Sequence, residues 1–311
     1  MSSEEQQAMV DAEQDPEVER RRRMLSGVVA ALLGASLWGV NGTIVSYMLE
    51  RYNMAPLWLV CVRELGACVL FLLTAWLTNK ERLTGIFFDR RSMVELIVSA
   101  FSSFLLSNVC YVEAIRWTNS ATATVLQSLN IIMVAVYVCV KTRRSPRRRE
   151  LVAMALAIGG TYLLATGGNP GTLQLPAEGF AWGMGAALAM TFLAILPIRI
   201  LNKWGSFVVN GLAMLISGVV LALFIQPWAN VPVLDAVGWA LVVLTVVLGT
   251  FGAYALYLHG VKIVGSMRGA MLGTAEPLVA MLTTVLFTSV WFAPTDLVAF
   301  AMIICMVYLA A

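Results

Sequence analysis

Ser266–Phe287 reads SMRGAMLGTAEPLVAMLTTVLF. The run is apolar and about the length of one bilayer crossing. Near its middle stand Glu276 and Pro277. A carboxylate at that depth costs about 3 kcal/mol on insertion scales. Pro277 has no N–H to donate, and its ring crowds the carbonyl of Gly273. One turn of a membrane helix therefore holds an ionisable group, a kink and a freed carbonyl. Two readings stand: a kinked packing helix whose Glu276 is tied to a neighbouring Ser, Asn or Tyr, or a substrate or proton site. The cost of an intramembrane carboxylate favours the second.

Working outward, the 311 residues are 59% apolar and only 13% charged, against about 25% charged in soluble domains. The chain reads as an all-α integral membrane protein. About ten apolar segments follow one another: Met24–Leu49, Leu57–Leu77, Met93–Trp117, Ser120–Val140, Leu151–Thr166, Ala177–Ile200, Ser206–Gln226, Leu234–Val261, Ser266–Phe287 and Pro294–Ala311. Short, Pro- and Gly-punctuated breaks separate them. The last ends at Ala311 without a basic tail, which reads as a short final helix or a truncated chain.

Residues 1–19 hold seven acids and no Lys or Arg, and Arg20 to Arg23 follow. The expectation is a cytoplasmic disordered tail over residues 1–23 that ends in a basic anchor. With that end cytoplasmic and ten spans, 18 of the 21 basic residues fall on the inner side; Arg51, Arg63 and Arg116 fall on the outer half. The asymmetry supports both the span count and the orientation. The run Lys141–Arg149 sits between two spans, where a positive-inside anchor is expected rather than a nucleic-acid patch. Cys61, Cys68, Cys110, Cys139 and Cys305 lie in apolar segments without CxxC spacing, and read as core residues, not metal ligands. No cofactor is expected.

An offset of 146 residues brings Tyr111 onto Tyr257, Ser120 onto Ser266 and Asn130 onto Glu276. Five spans in each half must enter the membrane in opposite directions. The reading is two inverted five-helix repeats, residues 24–166 and 177–311, joined by an extracytoplasmic linker over 167–176. Transporters of this build bind substrate near the midplane between the repeats. Small residues at intervals of four (Gly27, Ala31, Ala35, Gly39; Gly179, Gly183, Ala187; Gly265, Gly269, Gly273) read as close helix packing.

Four stretches carry a resemblance to the drug/metabolite transporter superfamily, in its EamA-like branch: Gly27–Gly42 (GVVAALLGASLWGVNG), Arg63 in the second span, Tyr111–Asn130 (YVEAIRWTNSATATVLQSLN) and Tyr257–Val279 (YLHGVKIVGSMRGAMLGTAEPLV) with its Glu-Pro pair. The resemblance covers about residues 24–311. It implies a ten-helix basket that works by alternating access, mostly in the export of amino acids, related metabolites or drugs. Departures exist. The family usually has a proline in the fourth helix, where Ile131 follows Asn130, and often a glutamate closing the fourth and ninth helices, where Lys141 and Val290 stand.

Depth counting selects the candidate substrate-binding residues: Trp38, Asn41, Asn108, Tyr111, Gln127, Asn130, Tyr254, Tyr257 and Glu276. Amides and a carboxylate ringed by aromatics suit a zwitterion or a partly apolar cation. Gln127 and Asn130 read equally as interhelical glue, and the aromatics as packing or interface residues. Candidate gating or coupling residues are Arg63, Glu276, Pro277 and His259. Arg63 is placed there by the resemblance; counted by depth it snorkels outward. With no basic residue expected at the midplane, phosphate substrates are disfavoured. HExxH, GxSxG, paired aspartates and GxxxxGK[ST] are missing, so an intramembrane enzyme or a direct ATP drive finds no support. The leading expectation is a secondary exporter of small organic metabolites in the plasma (inner) membrane, with the lipid bilayer and a small-molecule substrate as partners; protons as a further partner stay open, since nothing decides between proton antiport and facilitated export. A multidrug carrier and a non-transporting receptor or scaffold are the alternatives. Monomer and homodimer stay equally open.

Overall fold

The computed structural model describes residues 16–143, 145–169, 174–288 and 290–310. Among them every regular element is helical. Ten helical segments follow the sequence pattern: α1 Pro16–Arg51, α2 Pro56–Gly85, α3 Arg90–Trp117 and α4 Ser120–Lys141, α5 Arg148–Thr166, α6 Ala177–Ile195, α7 Ser206–Ile225, α8 Ala236–Val264, α9 Ser266–Phe287 in two pieces and α10 Pro294–Ala310. Seven of them are long and apolar enough to cross a bilayer alone; Met271–Phe287 and Pro294–Leu309 are shorter apolar helices.

Local chemistry sets the ends. Asp89 Oδ1 accepts from the Arg91 and Ser92 backbone N–H groups at the start of α3. Asn119 accepts from Thr122 N at 2.9 Å before α4, and Asp235 accepts from Gly238 N at 2.7 Å before α8. Each satisfies donors a helix start leaves orphaned. The one-residue links before α7 and α9 are Gly205 and Gly265, with φ of 86° and 90°, conformations that side-chain-bearing residues avoid.

The helices pair in a reciprocal way. α1 lies along α8 and α9; α6 lies along α3 and α4; α2 pairs with α7, and α5 with α10. Backbones approach closely where the small residues predicted it. Gly39 abuts the carbonyl of Glu276 and Gly260 abuts Ala31, each with no room for a methyl group, and Gly183 abuts Leu126.

Four sequence expectations need correction. Pro16–Arg23, expected to be disordered, continues α1 as helix, with Glu17 and Glu19 in its first turn, where acids favour a helix start; residues 1–15 lie outside the described residues. The second span does not end at Leu77: α2 runs through a kink at Asn79, with φ −150° and ψ 55°, and resumes to Gly85. The sixth span stops at Ile195, because Pro197 cannot donate within the helix, and a short helix Ile198–Trp204 follows. Gly265 belongs to the α8–α9 turn, not to a packing stripe.

Candidate functional site

A cavity of about 410 Å³ lies between the helices. All nine residues selected by depth line it: Trp38 and Asn41 from α1, Asn108 and Tyr111 from α3, Gln127 and Asn130 from α4, Tyr254 and Tyr257 from α8, and Glu276 from α9. Arg63 of α2 and Pro277 also line it, and Ile131, Met190, Leu193 and Val307 add apolar wall. His259 is not brought there: its side chain is exposed on α8.

Irregular backbone shapes the walls. α9 breaks at Thr274, between Gly273 and Ala275, as the Pro277 ring demands. α4 breaks at Ser128–Leu129 without a proline. Each break carries a hydroxyl turned back on its own helix: Ser128 Oγ donates to Thr124 O at 2.9 Å and Thr274 Oγ1 to Met271 O at 2.7 Å. Such back-bonding favours a bend, although Thr191 and Ser217 make the same bond in unbroken helices. α3 and α8 carry wide π-type turns over Ala100–Leu105 and Thr245–Gly252, a feature common at functional sites. In α8 that turn lets Thr250 Oγ1 donate to Thr245 O at 2.9 Å while accepting from Arg63 Nε at 3.4 Å.

Arg63 departs from the outward-snorkelling expectation. Its side chain is only 7% exposed, points into the protein, and its Nη1 has no hydrogen-bond partner among the described residues. A cation therefore does reach the cavity. The Glu276 side chain, on α9, has no hydrogen bond or ion pair among the described residues. Asn41 Oδ1 and Gln127 Oε1 are buried and have no donor among the described residues. Between these polar groups Trp38 meets Tyr254 edge-on at 4.9 Å and Tyr257 at 5.0 Å, within the range of favourable aromatic pairing.

Other polar groups are already engaged. Asn108 donates to Glu64 Oε1 and to Phe104 O, both at 3.1 Å, so its amide hydrogens are committed inside the protein. Tyr111 Oη is 2.9 Å from Thr124 Oγ1, and Tyr257 Oη donates to Gly269 O at 3.1 Å. Beside the cavity runs a seam the sequence did not reveal. Thr43 Oγ1 lies 2.6 Å from Thr283 Oγ1 and 3.1 Å from Ser120 Oγ, and Ser120 lies 2.7 Å from Thr284 Oγ1. These buried hydroxyls tie α1, α4 and α9 together. The signal was absent because Ser and Thr satisfy themselves on their own helix and are unremarkable in a membrane span.

At the end of α3 nearest the basic loops, Lys203 donates to Asp89 at 2.6 Å and Arg199 to Glu95 at 2.7 Å. The Lys203 bond, with Ser92, holds the Asp89 carboxyl well below the usual carboxylate range. Among the described residues no three His, Cys, Asp or Glu side chains are placed to hold a metal ion.

The sequence carries the same architecture as known proteins. Residues 25–166 and 177–311 match the EamA-like transporter family. An uncharacterized inner membrane transporter, YicL of Salmonella typhimurium strain LT2, is 29% identical over 273 residues, covering 87% of this chain and 90% of that protein. A crystal structure with 15% identity superposes with a TM-score of 0.63 over 92% of this chain and 96% of the other, a likeness of fold. Multi-pass helices around a buried polar cavity, and a family match over both stretches, lead to one conclusion: the chain belongs to the EamA-like transporter family.

Proposed function

We propose that this transporter moves a small zwitterionic metabolite, such as an amino acid or a related compound, across the inner membrane by alternating access, with export as its physiological direction. The observation that carries the reading is the pair of unpartnered charges on the cavity: Arg63, with a free guanidinium nitrogen, and Glu276, without an ion pair among the described residues. Burying an unpaired charge is costly. A ligand carboxylate at Arg63 and a ligand ammonium at Glu276 remove both costs at once. Asn41 Oδ1 and Gln127 Oε1 are further acceptors for the ammonium. The Trp38, Tyr254 and Tyr257 rings supply a wall for an apolar side chain and a face for a cation.

In this reading residues 24–166 and 177–311 are inverted repeats and the N-terminus is cytoplasmic. The reciprocal pairing of α1 with α8 and of α6 with α3 is what such a repeat produces. The hydroxyl seam of Thr43, Ser120, Thr283 and Thr284 then closes the extracytoplasmic side, and the α4 and α9 breaks are the points about which the other state opens.

The test has two stages. Metabolite profiles of cells that overproduce or lack the protein identify the compound that accumulates, and its flux is measured in proteoliposomes with wild type and Glu276→Gln. The expected result is loss of flux in a variant that still inserts and melts normally. Wild-type flux in Glu276→Gln at several pH values refutes the role of Glu276. Binding without flux in either protein marks a receptor instead.

A further inference from the structure

Glu64 takes no part in the cavity, yet it is only 2% exposed and sits at the depth of Arg63 on α2. Its two oxygens face two partners. Oε1 accepts from Asn108 Nδ2 of α3 at 3.1 Å. Oε2 lies 2.7 Å from Ser217 Oγ of α7. Among the described residues no cation lies within ion-pair distance of it. The titratable groups around it are Arg63, Cys61 and Cys68 on its own helix and Tyr254 from α8; α3 and α7 face it with Asn108 and Ser217, which do not titrate.

Counting protons decides what this arrangement holds. Ser217 has one hydroxyl hydrogen. It lies 2.9 Å from Ala213 O, the usual back-bond of a helical serine, and 3.4 Å from Met214 O. If Glu64 is ionised, that hydrogen turns to Oε2, Ala213 O loses it, and a carboxylate with two donors but no ion pair among the described residues stays buried between helices. If Glu64 carries a proton, its O–H donates to Ser217 Oγ, Ser217 donates to Ala213 O, and Asn108 donates to Oε1. Every short contact is then a hydrogen bond with one proton in it, and Glu64 adds no unpaired buried carboxylate.

We infer that Glu64 is a proton-binding site of this transporter, separate from the cavity carboxylate Glu276 and linked to the cavity through Asn108. Asn108 is the link because it belongs to both: its side chain lines the cavity while its amide hydrogens hold Glu64 and the wide turn of α3 at Phe104. A ligand that turns the Asn108 amide away takes the donor from Oε1 and holds the proton on Glu64; when the amide returns, the carboxylate regains its donor and the proton can leave. Release of the Glu64 proton then leaves a carboxylate whose charge only rearrangement along α2, α3 and α7 can pair. The proton comes from and returns to water; no other reactant is needed.

Infrared spectroscopy of the full chain in lipid nanodiscs, in H2O and D2O at neutral pH, tests this with protons as the probe and without any transported compound. It therefore fails or succeeds independently of the zwitterion reading. The expected result is a protonated-carboxyl carbonyl band, shifted by D2O, that persists in Glu276→Gln and is lost in Glu64→Gln. In Asn108→Ala the band moves to higher frequency, as for a carbonyl relieved of a donor. Glu64→Gln also keeps its thermal stability, because the amide donates to Ser217 where the O–H did. A wild-type spectrum without the band, or one unchanged by Glu64→Gln, overturns the proton site. A band indifferent to Asn108→Ala overturns the link. A Glu64→Gln protein that inserts but melts far below wild type shows that the charged form is the structural one.

Discussion

Gly39 and Gly159 make a paired test of how the helices meet. A Cβ at Gly39 comes within 2.6 Å of the Glu276 carbonyl oxygen, 2.9 Å of Ala280 N and 3.0 Å of Val279 Cβ. A Cβ at Gly159 also comes within 2.6 Å of its nearest atom, but that atom is Cε of Met302, the far end of a flexible side chain. The distances match and the consequences differ. Gly39→Ala is about 0.9 Å short of a comfortable ~3.5 Å separation, and helix backbone cannot rotate out of the way. α1 and α9 must part by nearly that much. One turn further on, the Thr43–Thr283 contact of 2.6 Å stretches to the limit of a hydrogen bond. Overpacking of this kind costs about 1–3 kcal/mol, offset by up to about 1 kcal/mol from replacing a helical glycine with alanine. The net expectation for Gly39→Ala is a loss of about 1–2 kcal/mol; for Gly159→Ala, where methionine repacks, it is a change between zero and a gain of about 1 kcal/mol. Thermal unfolding of the two purified variants in the same detergent reads both. A Gly39→Ala protein that melts at or above wild type refutes the close α1–α9 approach. Equal losses in both refute the distinction between backbone and side-chain contact.

Three other perturbations address the site and its surroundings. Thr43→Val keeps the shape but leaves Ser120 and Thr283 short of a partner in the buried seam, so it should destabilise by about 1–2 kcal/mol, read as a lowered melting temperature. Gly249→Ala drives a Cβ into the Asn41 amide and to 2.9 Å of Asn41 Cβ; turning the amide does not move that Cβ, so α1 and α8 must also part, and the expected signature is a raised KM in flux assays together with a lowered melting temperature. Asp89→Asn removes the Lys203 bond that depresses the Asp89 carboxyl. Because the folded form holds this carboxyl low, its contribution in wild type is complete above the ordinary value of about 3.9 and fades as pH falls below it; melts across pH 3–7 should lose that component in Asp89→Asn.

Depth was the legible quantity. A helix rises a fixed distance per residue, so a position counted from the ends of an apolar run is a position across the membrane. That is why Trp38, Asn41, Gln127, Asn130, Tyr254, Tyr257 and Glu276, on four different spans, line one cavity. Side-chain direction was not legible. Arg63 sits at the expected depth of its Cα, but whether a long side chain turns outward or inward depends on what α8 offers, here Thr250 at its wide turn. Asn108 shows the same limit: its depth suggested a ligand amide, while a buried neighbour on another helix engages its hydrogens. The α4 break was hidden for a different reason. It occurs at Ser128 and Leu129 without a proline, and a serine in an apolar helix gives no such warning as a proline does.

The 146-residue offset now separates two kinds of similarity. The backbone devices recur across it: Asp89 and Asp235 cap α3 and α8, wide turns follow in both helices, and Ser128 and Thr274 mark the breaks in α4 and α9. The chemistry does not recur. Asn130 stands where the other half has Glu276, and the cationic Arg63 and the buried Glu64 both belong to α2. Under the proposed alternating access between inverted repeats, equivalent halves make the two states close in energy. A ligand and its protons then need only modest differential binding to tip the balance, since an equilibrium shifts only by the difference in affinity between states. The charges supply that difference because they are placed unequally. On this view Glu276→Gln and Glu64→Gln change which state is populated, while Gly39→Ala, which strikes the frame, lowers the stability of the fold itself.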